Sequence, residues 1–202
     1  MKLKLSSSFR RYCVPREGRH PTKDRTRILD RLFEHRFRSI DRSQSTIRGV
    51  GWTDTEGLVP ADPKRWEPFV GSILAVGLRI DERRIPAGAL RVRRLESERA
   101  ERFSVKSELA PARRRELREA IEQDLLGRCV PGTQVSLFLW NLETSEILLA
   151  STSESANASM RGLFRDTFEC TPQVLTKVAI AQRVGREEWV QRIEAMAPAG
   201  YV

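Results

Sequence analysis

Val135-Ser-Leu-Phe-Leu-Trp-Asn-Leu-Glu-Thr-Ser-Glu-Ile-Leu-Leu-Ala150 decides the fold class of this chain. Val135, Leu137 and Leu139 alternate with Gln134, Ser136 and Phe138, the two-residue period of a strand. A polar turn from Asn141 to Glu146 returns the chain into Ile147–Ala150, so the stretch is a β-hairpin. Downstream, Ser153 or Ser155 can cap a helix whose Met160, Leu163, Phe164 and Phe168 share one stripe. Upstream, Pro111 suits the first position of a helix in which Leu117, Ala120, Ile121 and Leu125 recur at helical spacing, while Arg113, Arg114, Arg115 and Arg118 take up the rest of its surface. The expected fold class is α+β: mixed antiparallel sheets with packed amphipathic helices, including this helix–hairpin–helix unit from Pro111 to Phe168.

Working outward, the chain reads as a basic N-terminal α+β region over 1–85, a region of long helices plus the hairpin and its helix over 86–180, and a short C-terminal helix or tail over 181–202. In the first region we expect a strand at Ser6–Val14 and a loop at Pro15–Pro21. A helix capped by Thr22 follows, carrying Ile28, Leu29, Leu32, Phe33 and Arg36, then a strand at Ile47–Trp52 and a buried strand at Ser72–Ile80. Trp52 and Trp66, next to strands, are read as core rather than as base-stacking surfaces. Pro86 opens a long helix to about Phe103 with Leu90 and Leu95 as anchors, where Arg91, Arg93, Arg94, Arg99 and Arg102 alternate with Glu96, Glu98 and Glu101. Gln173–Ile180 reads as a strand, and Trp189, Ile193 and Met196 mark a short amphipathic helix suited to docking on the body or on a second subunit.

With 202 residues of which 40% are hydrophobic, the chain can bury a core. The apolar run Ile73–Leu78 is far too short to span a bilayer, and MKLKLSSSFRRY lacks the apolar centre of a signal peptide. A cytoplasmic location without membrane contact is therefore expected. Cys13, Cys129 and Cys170 have neither paired number nor CxxC spacing, which favours buried or incidental thiols over a disulfide framework or a zinc site.

Net charge is +9, and residues 1–50 carry 14 Lys/Arg against 5 Asp/Glu, so the excess is N-terminal. A second surplus runs from Arg79 to Arg118, with 13 basic against 7 acidic residues. Guanidinium forks suit bidentate phosphate contacts, so two adjacent basic helices can follow a phosphate backbone; a solvated, salt-bridge-laced surface accounts for the same charges.

No GxSxG, HExxH, Walker or kinase signature is present, and Gly49 and Gly51 do not form a phosphate loop. Neither His20 nor His35 has a cysteine or carboxylate at metal-like spacing. A metal-dependent nuclease would draw on Asp81 with Glu82 or Glu119 with Glu122, both pairs set among arginines that can hold them as ordinary ion pairs. No catalytic residue, metal site or cofactor is expected.

The ordered stretches LGLRIDERRIPAGAL and FSVKSELAPARRRELREAIEQDLLGRCVPGTQVSLFLWNLETSEILLASTSESANASMRGLFRDTF, preceded by GVGW around Trp52, resemble the bacterial recombination-associated protein RdgC family over about residues 47–175. The resemblance implies a non-enzymatic, nucleoid-associated protein that binds double-stranded DNA with little sequence preference. It further implies ring-like homodimers with a positively charged opening and restraint of a RecA-type recombinase. The basic residues of the matched region, proposed to meet DNA, are Arg79, Arg83, Arg84, Arg91, Arg93, Arg94, Arg113, Arg114, Arg115 and Arg118. The competing reading is a protein-interaction module of the recombination machinery whose arginines are solvation.

Overall fold

The computed structural model describes residues 8–14, 24–40, 46–105, 110–185 and 187–196. In chain order the elements are β1 (Arg10–Cys13), α1 (Arg25–Glu34), β2 (Arg48–Thr53), a 3-10 turn (Pro63–Arg65), β3 (Phe69–Val70) and β4 (Ile73–Glu82). There follow α2 (Ala87–Val105), α3 (Pro111–Arg128), β5 (Gly132–Asn141), β6 (Glu146–Leu149), α4 (Glu154–Phe168), β7 (Gln173–Val174), α5 (Lys177–Arg183) and α6 (Glu187–Glu194). The fold is α+β, and its strands join one antiparallel sheet in the order β2-β4-β5-β6-β1-β7, with β3 on β4. Strands from the first 85 residues and from the hairpin region thus share a sheet.

The longest register, Ile73↔Asn141 to Glu82↔Gly132, joins β4 to β5 over ten pairs and forms the centre of the sheet. Period-two alternation puts Leu74, Val76, Leu78 and Ile80 of β4 on the same face as Phe138 and Trp140 of β5, and all six are buried. The hairpin has the expected period. Its core face carries Ser136, Phe138 and Trp140, while Val135 is exposed and Leu137 and Leu139 are half-buried on the opposite face. At the turn, the Asn141 side-chain oxygen accepts the backbone N–H groups of Glu143 and Thr144 at 2.9 and 3.0 Å, the local bonding that makes asparagine a turn residue.

Two helices cover the core face. α4 starts at the Ser153 cap, whose hydroxyl accepts from the Ala156 N–H, and buries Met160, Phe164 and Phe168 in the core, the two phenylalanine ring centroids lying 5.3 and 5.2 Å from that of Trp140. α1 adds Ile28 and Leu32. Its N-cap is Asp24, whose carboxylate accepts from the Thr26 N–H; the expected Thr22 cap lies outside the described residues, as do Ser6 and Ser7 of the expected first strand and the Pro15–Pro21 loop. α1 ends at Glu34, so Arg36 is not part of it. Residues 35–37 instead run beside edge strand β2, where the Phe37 N–H donates to Trp52 O at 2.8 Å and the Trp52 N–H to His35 O at 3.1 Å. Gly51 permits that approach, since a Cβ there would stand 2.3 Å from the Phe37 Cα. Trp52 is fully buried, its indole N–H donating to Thr167 Oγ1 at 2.9 Å, and Trp66 joins the same core.

Two expectations are corrected. The strand over Gln173–Ile180 is only Gln173–Val174, paired with β1; the Thr176 hydroxyl accepts the Ala179 N–H and the chain turns into α5. Ile180 thereby serves a helix, whose three- and four-residue spacings the apolar pattern had concealed. The packed face of α3 is narrower than its apolar stripe: α3 lies against α2, Ile121 is buried, Leu117 and Leu125 are half-buried, and Ala120 is exposed. Cys13 and Cys170 are buried and all three cysteines are free thiols.

Candidate nucleic-acid interface

α2 leaves the sheet after β4 and α3 returns to it before β5, so the two helices form an arm rooted on adjacent central strands. At 1.5 Å per residue, the nineteen residues of α2 span roughly 28 Å. None of its side chains belongs to the main hydrophobic core. Arg94 of α2 donates to Glu122 of α3, and Arg113 of α3 donates to Glu101 of α2, so ion pairs clip the arm together at two levels. Leu90 and Leu117 are half-buried along it, whereas Leu95, expected as an anchor, is 49% exposed.

The ten arginines singled out by sequence fall into two groups. Arg79 and Arg83 are held inside the fold. Arg79 donates through Nε and Nη2 to the two oxygens of Asp81, each at 2.9 Å, donates through Nη1 to Gly57 O at 3.2 Å, and stacks 4.3 Å over the Phe37 ring. That carboxylate bond raises the Arg79 pKa further, fixing its charge in place. Arg83 is 3% exposed and its N–H donates to Ile47 O. The other eight are carried by the arm or its root.

Most of those eight also engage carboxylates. Arg84 meets Glu82 at 2.9 Å, Arg93 meets Glu96 at 3.6 Å, Arg113 meets Glu101 and Glu116, and Arg115 meets Glu119 at 2.9 Å. Hydrogen bonds to those acids raise the pKa of Arg113 and Arg115. Such solvent-facing pairs are weak and screened by salt, so a phosphate can take the place of the acid. Arg114 is exposed on the first turns of α3.

Arg91, Arg99, Arg102 and Arg118 differ: all four are exposed and have no ion pair among the described residues. Arg91, Arg99 and Arg102 follow at i, i+8 and i+11, one stripe along α2. The stripe runs about 16 Å at helical rise, roughly five base-pair steps of a strand. Arg99 and Arg102 stand outside the ten candidates, although the helical spacing that joins them to Arg91 is visible in the sequence. A hollow of about 440 Å³ lined by Glu82, Arg84, Val130, Gly132 and Gln134 lies at the arm's root.

The four acids that a nuclease would need are each engaged by an arginine. Asp81 is bound by Arg79, Glu82 by Arg84, Glu119 by Arg115 and Glu122 by Arg94. Among the described residues no group of three or more His, Cys, Asp and Glu side chains is placed to hold a metal ion, and no helix is long and apolar enough to cross a membrane. No family model matches the chain, and no curated protein matches it.

Proposed function

We propose that this protein binds double-stranded DNA without sequence preference, the α2–α3 arm laying its arginines along the phosphate backbone, and that it restrains recombination by occupying DNA. The observation that carries the reading is the set of four exposed arginines, Arg91, Arg99, Arg102 and Arg118, with no ion pair among the described residues on an arm apart from the core. A guanidinium left without a carboxylate in a helix otherwise laced with ion pairs has its donors available, and phosphate oxygens match their geometry. Phosphate contacts draw their affinity from charge and counterion release and carry no sequence information, which matches binding without sequence preference. The resemblance to the RdgC family supports duplex DNA as the ligand, a homodimer as the working form, a RecA-type recombinase as the opposed activity and the nucleoid as the location. The interface we propose leaves out Arg79 and Arg83, whose side chains build the fold.

The test is fluorescence anisotropy with two labelled duplexes of unrelated sequence, titrated at several salt concentrations. The expected result is equal affinity for both, falling steeply with salt. Replacing Arg91, Arg102 and Arg118 together by alanine flattens the slope of log K against log salt by roughly 2.7, at about 0.9 per phosphate contact. No binding at low salt, or an unchanged slope in the triple variant, removes the arm from any DNA interface.

A further inference from the structure

We infer that Phe103, near the far end of the arm, stacks on unpaired nucleobases, so that the protein prefers DNA with an opened segment to an intact duplex. This rests on the DNA-binding reading above. Phe103 is 86% exposed, the most exposed large apolar side chain among the described residues. The other seven of the eight phenylalanines are buried or half-buried. Sixteen residues into α2, it stands about 24 Å along the helix from its sheet end and outside the main hydrophobic core.

Its surroundings favour nucleic acid. Arg99 lies one turn back on the same face and Arg102 is adjacent; both are exposed, with no ion pair among the described residues. Cations beside a solvent-facing ring attract a phosphate backbone and leave the ring's face for a base, the combination that single-strand binders use without sequence preference. In an intact duplex the bases already stack on one another, and inserting a ring costs their unstacking. A gap or bubble offers bases whose faces are open, so the ring gains there and not on closed duplex. Val92 and Leu95, exposed on the same face, are the features that an apolar protein partner would use instead.

The experiment compares the full chain on a labelled duplex and on the same duplex with a central unpaired bubble containing 2-aminopurine. We expect the bubble to bind roughly ten-fold tighter, the effect of one base stacked on one ring. Phe103→Ala should keep duplex affinity within about two-fold and lose the preference, while Phe103→Trp keeps it. The 2-aminopurine fluorescence should change with wild type and Phe103→Trp but not with Phe103→Ala. Equal affinity for both substrates, or a preference that survives in Phe103→Ala, overturns the inference and leaves duplex binding intact. Absence of binding to either substrate overturns both.

Discussion

The Arg79 guanidinium and the Asp81 carboxylate, two residues apart on β4, close a two-pronged ion pair with both hydrogen bonds at 2.9 Å. Residues i and i+2 of a strand share a face, so the pair needs no long-range folding to meet, only a strand. Once made, it is enclosed: Phe37 lies beneath the guanidinium and Gly57 O accepts its remaining edge. The arginine that heads the basic run therefore belongs to the architecture.

Removing one partner of that pair strands the other. Asp81 retains 7% of its side-chain exposure and Arg79 24%. Arg79→Ala is expected to lower unfolding free energy by about 3 kcal/mol in urea titration. The double replacement Arg79→Met with Asp81→Leu should cost less than the single one, because no charge is left unpaired. The salt slope of DNA binding measured on folded protein should not change in either variant. A single variant as stable as wild type would show that the pair contributes nothing.

Tyr12 ties the sheet to α4. Its hydroxyl donates to Asn157 Oδ1 at 2.5 Å, and the Asn157 amide in turn donates to Ser151 O and Ser153 O at 3.0 and 2.7 Å, just before and at the helix cap. Tyr12→Phe leaves the buried Asn157 oxygen without its donor and should cost about 1–3 kcal/mol. Burial pushes the Tyr12 pKa above its ordinary 10, against the opposing pull of Arg10 and Arg161. In the unfolded chain the phenol ionises near its ordinary value, so above that pH the unfolded state binds fewer protons than the folded one. The contribution of Tyr12 is complete below pH 10 and declines as pH rises toward its folded pKa. Stability measured from neutral to strongly alkaline pH should show this decline in wild type and a shallower one in Tyr12→Phe.

The arm should open independently of the sheet. The Arg94 Nε is buried with no hydrogen-bond partner, and Glu122 on α3 is the acid that holds its guanidinium. Glu122→Gln removes that charge from a half-exposed pair, a loss of about 1 kcal/mol. Amide exchange around Ile121 should accelerate roughly five-fold, while amides of β5 keep their wild-type rates. Equal acceleration in both would mean that arm and sheet unfold as one unit.

Local pattern alone gives much of this fold. The hairpin, its Asn141–Glu146 turn, the Ser153 cap and the Met160–Phe164–Phe168 stripe are set by interactions within a few residues, and the structure has them where the periodicities put them. The α+β class and the free, mostly buried thiols were legible in the same way. Where neighbours in space are distant in sequence, pattern failed. The stripe of α3 carries no mark of whether it faces a sheet or another helix, and Ile180 fits a strand until Thr176 caps a turn.

Residue types and helical spacing by themselves determined that arginines crowd two consecutive helices between Pro86 and Arg128. Only the tertiary structure decided which of them face solvent. Arg79 and Arg83 read as members of the same basic run as Arg91, yet Asp81, Phe37 and Gly57 enclose the first and the fold buries the second. Charge is a property of one side chain, and a sequence displays it completely. Exposure and ion pairing depend on what other segments bring alongside, and long-range packing sets them.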